Sequence, residues 1–286
     1  MHRPERSVCL ITGATHGIGR ATAEALAHAG AEVIVHGRNA ALVESVRRSI
    51  ERKNPGAAVS GIVADFDSLA EVRGMARAIQ TRCDRLDVLV NNAGTIRSHR
   101  ELSRDGFERQ FAINHLAPFL LTNLLLELLQ TNAPARVVTV ASRAHRRVPG
   151  IDLDDLNFER RRYDTMAAYG TSKLANVLFS NELARRSAAA RVTANALHPG
   201  VVATNLFGNL GVLGSFAGLL ARPLLRSPAR GAATSIYLAS APEVEGVTGA
   251  YFVDCRKTEP STAALDTGAG RRLWEVSEQL VGLAAD

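Results

Sequence analysis

Tyr169 and Lys173 stand four residues apart in the run Ala-Tyr-Gly-Thr-Ser-Lys-Leu-Ala-Asn, from Ala168 to Asn176. In a helix that spacing sets both side chains on one face, about one turn apart. A nearby ammonium favours the phenolate and lowers a tyrosine from its reference of about 10. A phenol tuned in this way can give or take a proton near neutral pH. The plain alternative is an exposed helix face carrying one aromatic and one lysine, and the pair alone does not decide. Two other polar residues bear on it. Ser142 follows an apolar strand predicted over Arg136 to Val140, which puts it at the carboxyl edge of a sheet, where open α/β folds bind ligands. Asn114 lies in Phe-Ala-Ile-Asn-His-Leu-Ala-Pro-Phe-Leu, and a buried amide among so many apolar residues needs partners. It either holds a helix bend near Pro118 or binds water.

The elements that must position these residues are legible from the start of the chain. Val8 to Ile11 is a short apolar strand, ending in Thr12-Gly13-Ala14-Thr15-His16-Gly17-Ile18-Gly19. Arg20 to Ala29 then has helical spacing, and Gly30 closes it. Strand, glycine turn and helix in that order form a pyrophosphate site. Glycines let the backbone approach, and the helix N-terminus offers free N–H groups and partial positive charge. Ala31 to His36 is the second strand. An NAD-selective site usually has an acid about 20 residues beyond the glycines. His36-Gly37-Arg38-Asn39 has none, and Arg38 can form a fork on a 2′-phosphate, with His16 as a second donor. NADP(H) is therefore expected over NAD(H), the alternative being that Arg38 merely opens the next helix at the surface.

Helices are predicted over Ala40 to Lys53 and Leu69 to Arg82, with a strand from Ala58 to Val63 between them. Asp65-Phe66 follows that strand, placed to meet an adenine, and Asp67 or Ser68 suits a helix cap. Leu86 to Val90 reads as a strand buried on both faces, and Asn91-Asn92-Ala93-Gly94 lets the chain pass close to a cofactor. Leu102 to Leu129 reads as one long helix or two abutting ones. Arg143 to Thr165 is polar and loop-like; Met166 to Ser187 is the helix of the tyrosine and lysine. Arg191 to Leu197 is a sixth strand, followed by His198-Pro199-Gly200-Val201-Val202-Ala203-Thr204. Asn205 to Leu225 is apolar and glycine-punctuated, which suits a packed helix pair, an oligomer contact or a lid over an apolar substrate. A helix to Ser240, a seventh strand over Gly249 to Val253 and a helix around Arg271 to Leu280 complete the alternation. It implies one doubly wound α/β domain over 1–286, with a parallel sheet of about seven strands and helices on both faces.

Composition excludes several classes. The 286 residues are 46% apolar and 22% charged, ordinary for a globular protein. The net charge of +6 is scattered; Arg47-Arg48, Arg146-Arg147 and Arg160-Arg161-Arg162 read as solvated faces, with no arm for nucleic acid. Cys9, Cys83 and Cys255 form neither a disulfide framework nor a zinc set, and no histidine pair has metal-ligand spacing. No apolar run is long enough for a membrane span or a secretory signal, so a cytoplasmic protein without membrane insertion is expected.

In combined order these motifs resemble the short-chain dehydrogenase/reductase family. The resemblance rests on Thr12 to Gly19, Asp65, Asn91 to Gly94, Asn114, Ser142, Tyr169-x-x-x-Lys173 and Pro199-Gly200, and it covers nearly the whole chain. Asn114 to Thr122, Ser172 to Phe179, His198 to Val202 and Tyr251-Phe252-x-Asp254-Cys255 look like the retinol dehydrogenase and WW-domain oxidoreductase branch. Ala141-Ser142 replaces the usual serine pair, and neither a membrane anchor nor a WW module has a counterpart.

The resemblance implies a Rossmann domain with residues 205–226 as a substrate lid. It implies hydride transfer between NADP(H) and an alcohol or carbonyl on a lipophilic small molecule. Tyr169 would be general acid/base, Ser142 would hold the carbonyl oxygen, and Lys173 would tune the tyrosine and bind the nicotinamide ribose. Asn114 would position a water. The cofactor would lie along Gly13, Thr15, His16, Gly17, Ile18, Gly19, Arg38, Asn39, Asp65, Phe66, Asn92, Ala93 and Gly94. Pro199 and Gly200 would also touch it, and Val202 and Thr204 would meet the nicotinamide amide. A steroid or polyketide ketoreductase, or an NADPH-sensing regulator without turnover, are the other readings; homo-oligomers are compatible with all of them.

Overall fold

The run Val8-Cys9-Leu10-Ile11 has no polar residue to turn toward water, and in the computed structural model it is the wholly buried strand β1 (Val8–Ile11). The structure describes residues 7–200 and 226–283. Next come α1 (Gly17–His28), β2 (Glu32–Gly37), α2 (Ala40–Lys53), β3 (Val59–Val63), α3 (Leu69–Arg82) and β4 (Val88–Asn91). The second half has α4 (Arg109–Phe111), a π-helical turn (Ala112–Leu116), α5 (Ala117–Leu124), α6 (Leu126–Thr131) and β5 (Ala135–Val140). It continues with α7 (Thr165–Arg186), β6 (Val192–His198), α8 (Pro228–Ser240), β7 (Tyr251–Val253), β8 (Arg256–Lys257) and α9 (Thr267–Leu280). The strands form one sheet in the order β3-β2-β1-β4-β5-β6-β7-β8, parallel except for β8. Strand order reverses between β1 and β4, and that switch point opens a crevice at the carboxyl edge.

Helices cover both faces, as expected. One apolar layer joins Leu10, Leu89 and Val137 to Met75, Phe119, Leu174 and Trp274. The other joins Cys9, Ile11, Val33 and Val90 to Leu26, Val46, Ile50 and Leu238. Caps fix several helix starts: Asn39 accepts from Leu42 N–H, Ser68 from Glu71 N–H, Asp164 from Ala167 N–H and Asp266 from Ala269 N–H.

Three expectations are corrected. The helix read from Leu102 begins only at Arg109, because Leu102 pairs with Glu108 in an antiparallel bridge turned by Gly106 at φ +83°. Periodicity could not show this, since the bridge is made by backbone. An eighth, antiparallel strand follows a two-residue turn in which Asp254 and Cys255 have φ of +51° and +60°. Neither is glycine, so the usual hairpin signal was missing. Within the stretch read as loop, residues Arg143–Arg147 and Leu153–Asp155 form 3₁₀ turns. Val202, Thr204 and the expected lid at 205–226 lie outside the described residues, Arg226 excepted.

Candidate active site

The glycine turn comes first. Gly13 has φ +63°, which favours glycine, and a Cβ there would lie 2.8 Å from the Ala93 Cα. At Gly19 a Cβ would sit 2.3 Å from Asn92 Nδ2 and 2.5 Å from the Gly13 carbonyl oxygen. The turn is therefore pressed against the end of β4. Asn92 Nδ2 donates to the carbonyls of Thr12 (2.7 Å) and Gly13 (3.2 Å). The N–H groups of Asn92 and Ala93 both donate to Thr12 Oγ1. Asn92 thus ties the end of β4 to the end of β1, with Thr12 as its counterpart. α1 starts at Gly17, three residues before the predicted start; His16 at its N-cap gives no side-chain cap and its first turn has no acid. Its leading N–H groups and partial positive charge remain available to an anion.

His36, not singled out from the sequence as a site residue, sets the other wall. Gly13 N–H donates to His36 Nδ1 at 3.2 Å, and His36 Nε2 lies 3.0 Å from the Ala64 carbonyl. Burial pulls the imidazole down to about 4, so it is neutral, with Nε2–H donating. Its ring stacks on Phe66 at 4.5 Å. Nothing local marks such a residue; its partners come from two other strand ends.

At the opposite side, Tyr169 and Lys173 lie on one face of α7, both buried. Lys173 Nζ donates to the Val140 carbonyl at 2.9 Å, and burial pulls the ammonium down to about 8. The Ser142 hydroxyl is close enough to the Tyr169 phenol to favour its ionised form. Ser142 Oγ also accepts from Ala144 N–H at 3.1 Å. One expectation fails here. Burial dominates the Tyr169 phenol and pushes it up to about 12, with the Ser142 contact pulling only partly back. The ammonium does not offset this in the structure, its Nζ being 5.8 Å from the ring centroid and turned to a carbonyl.

Asn114 sits in the π-helical turn, fully buried. Its Oδ1 accepts from Thr95 N–H (2.7 Å), while Nδ2 donates to the Thr95 carbonyl (3.0 Å) and Ser172 Oγ (2.9 Å). Of the two sequence readings, the local helix distortion is the one seen. The helix is locally widened, and Pro118, lacking an N–H, deprives the Asn114 carbonyl of its α-helical donor. The side chain is a strut between the loop after β4 and α7.

One cavity of about 990 Å³ joins the two sides. It is lined by Gly13, Thr15, His16, Gly17, Ile18, Gly19, Arg38, Asn39, Asp65, Phe66, Asn92, Ala93, Gly94, Ser142, Tyr169, Lys173, Pro199 and Gly200. Asn114 stands behind Gly94, where a Cβ would be 3.2 Å from its Oδ1 and 3.5 Å from Lys173 Nζ. Asn39, expected to bind cofactor, spends its Oδ1 on the cap of α2. Asp65 Oδ1 accepts from Asp67 N–H, and Oδ2 lies 3.6 Å from Arg104. Arg146 and Arg147, read as a solvated face, line the cavity together with Arg143. Among the described residues no cluster of His, Cys, Asp or Glu could hold a metal ion.

Residues 7–153 and 157–211 match the family described as short chain dehydrogenase. The chain belongs to the short-chain dehydrogenase family. It is 45% identical to human retinol dehydrogenase 14 over 295 residues, covering 96% of this chain and 86% of that protein. A solved structure of an uncharacterized protein from Mycobacterium paratuberculosis superposes with a TM-score of 0.76 at 36% identity, over 96% of this chain and 93% of the other. The Pseudomonas aeruginosa RhlG/NADP active-site complex superposes at 0.69 with 27% identity, over 88% and 97%. The resemblance to the retinol dehydrogenase branch stands, and membership makes the chain an oxidoreductase of the alcohol–carbonyl class working with a nicotinamide cofactor. A dinucleotide suits the residues present: a glycine cradle that side chains would fill, an uncapped helix N-terminus, and a continuous cavity from there to Tyr169.

Proposed function

We propose that this short-chain dehydrogenase is a single 1–286 domain that uses NADP(H) to interconvert a carbonyl and an alcohol on a small molecule with an apolar body, with Tyr169 as general acid/base. The observation that carries the reading is the convergence of Tyr169, Ser142 and Lys173 on the cavity whose other end is the glycine turn. When bound, the nicotinamide supplies or takes the hydride. In reduction the Tyr169 O–H gives its proton to the carbonyl oxygen. Burial keeps the phenol protonated at neutral pH, so the proton to be given is in place. Ser142 Oγ already accepts from Ala144 N–H, so its own hydrogen is free to donate toward the same oxygen. Lys173, held by the Val140 carbonyl, stands one turn from the phenol as the local cation and as a donor to the ribose. Asn114 would hold a water through which Lys173 and Tyr169 recover protons.

The preference for NADP(H) is supported by Arg38, exposed at the end of β2, free of any carboxylate among the described residues, and lining the cavity. Asp65, at the end of β3, is engaged by Asp67 N–H and lies near Arg104. RhlG, at 27% identity, was solved with NADP. The free thiols of Cys9, Cys83 and Cys255 agree with a reducing compartment such as the cytoplasm. The test is Tyr169→Phe: NADPH binding is kept while aldehyde-dependent NADPH oxidation falls at least 100-fold, the usual scale of general acid catalysis. Turnover within a few-fold of the parent removes the mechanism.

A further inference from the structure

The arginines of the turn after Ser142 are the feature that an apolar substrate leaves unexplained. Arg143, Arg146 and Arg147 all line the cavity and are all exposed. Several arginines elsewhere are matched, Arg47 with Glu44 and Glu51, Arg109 with Asp67 and Glu101, Arg185 with Glu182, and others, Arg38 among them, are not; what sets these three apart is that one short turn carries them all into the cavity. Among the described residues, none of these three meets a carboxylate. The side chain of Arg146 donates to the Glu259 carbonyl, and those of Arg143 and Arg147 hydrogen-bond to no described residue. The nearby histidines add no compensating charge: His145 donates from Nδ1 to the Ser142 carbonyl and accepts from Ser261 N–H at Nε2. His198 is pulled down to about 4 by burial and by Arg143 and Arg226. Among the described residues the single carboxylate lining the cavity is Asp65, at the end of β3. Four strand spacings separate β3 from β5, about 19 Å. Residues 201–225 contain Arg222 and no aspartate or glutamate, so they bring no countercharge wherever they lie.

The position of the turn decides which ligand it faces. It begins at Ser142, and its Ala144 packs against Tyr169 and Ile96. The cofactor's phosphates are expected at α1 and its 2′-phosphate at Arg38, on β2, three strand spacings or about 14 Å away. Three guanidiniums without carboxylate partners, on the turn that begins at Ser142 and lining the same cavity as Tyr169, would be stabilised by an anion among them, and guanidinium forks suit oxyanions.

We propose that the substrate of this enzyme carries an oxyanionic group, a carboxylate or a phosphate, at the end of its apolar body, and that Arg143, Arg146 and Arg147 receive it. This rests on the oxidoreductase reading above. It narrows the substrate class to carbonyl compounds that bear an acid.

The experiment compares 4-carboxybenzaldehyde, 4-formylphenyl phosphate and the neutral methyl 4-formylbenzoate as substrates with NADPH. The expected result is a kcat/KM at least tenfold higher for one of the acids than for the ester. The advantage shrinks as salt rises from 50 to 500 mM, since screening acts on exposed charges. It drops to within about twofold in Arg143→Gln/Arg147→Gln and inverts in Arg147→Glu. Which acid gains more tells carboxylate from phosphate. An ester equal to or better than both acids overturns the proposal, as does an advantage that survives in the double variant. So does a double variant that weakens NADPH binding while leaving the substrate ratio unchanged, because the arginines would then serve the cofactor. If no aldehyde is turned over, the oxidoreductase reading fails separately. Calorimetric titration of 4-(hydroxymethyl)benzoate and its methyl ester onto the NADP-loaded protein still decides: preferential uptake of the acid, lost in the double variant, supports the anion site, and equal or no uptake refutes it.

Discussion

Lys173→Met is expected to abolish turnover and yet stabilise the fold at neutral pH. Burial holds the Lys173 ammonium near 8, against an ordinary lysine at 10.5. A tenfold change in proton affinity is about 1.4 kcal/mol, so keeping this charge in the folded protein costs about 3 kcal/mol below pH 8. Methionine is of similar length, carries no charge, and suits a gap of this shape. It forfeits the hydrogen bond to the Val140 carbonyl, worth about 1 kcal/mol. That carbonyl keeps Asn176 Nδ2 at 3.4 Å. The net gain is about 2 kcal/mol. With an unfolding entropy of about 2 cal/mol/K per residue over 286 residues, Tm rises by about 3 °C. The sign with pH follows from a folded value below the unfolded one. The parent pays the full penalty below pH 8. It loses that penalty between 8 and 10.5, as the lysine becomes neutral in the unfolded chain too. The advantage of methionine therefore shrinks across that window and ends as a deficit of about 1 kcal/mol. Urea and thermal unfolding of both proteins, without dinucleotide, at pH 7, 9 and 10.5 measure it. A methionine variant less stable than the parent at pH 7, or a stability gap that does not change from pH 7 to 10.5, refutes the reasoning.

Three other outcomes are expected. Gly19→Ala pushes a Cβ against Asn92 Nδ2 and the Gly13 carbonyl, an overpacking cost of about 1–3 kcal/mol. Dinucleotide affinity by fluorescence titration should fall tenfold or more, and an unchanged Kd means the cofactor does not use this turn. Asn114→Ala leaves both backbone polar groups of Thr95 without their side-chain partner, so the denaturation midpoint should report a loss of about 1–3 kcal/mol; an unshifted midpoint would falsify the strut. Arg38→Asp should move the NADPH-to-NADH ratio of kcat/KM toward NADH by at least tenfold, and a constant ratio shows that Arg38 does not read the phosphate.

The local chemistry was readable without coordinates because it depends on neighbours in sequence. Strand β1, the glycine turn and helices α2 and α3 follow from apolar periodicity and capping residues, and α2 and α3 match their predicted bounds. The four-residue spacing of Tyr169 and Lys173 is a property of any helix, so their common face was available at once. The hairpin at Asp254-Cys255 and the late start at Arg109 were not, because both depend on backbone pairing that no side-chain pattern announces.

Environment was decided by the tertiary structure alone. Sequence spacing suggested that the lysine would lower the tyrosine; burial by the surrounding turns raised the phenol instead, because desolvation scales with everything packed around a group and not with its nearest neighbour. His36 became a wall of the cofactor cavity only when Gly13 and Ala64, 23 and 28 residues distant, closed on its two nitrogens. Arg146 and Arg147 look like any exposed basic pair along the chain, and they face the cavity only because the turn after β5 folds back over Tyr169. Residue types and intervals set which groups could react; the convergence of distant strand ends at one sheet edge set their surroundings, since solvation and charge act through space.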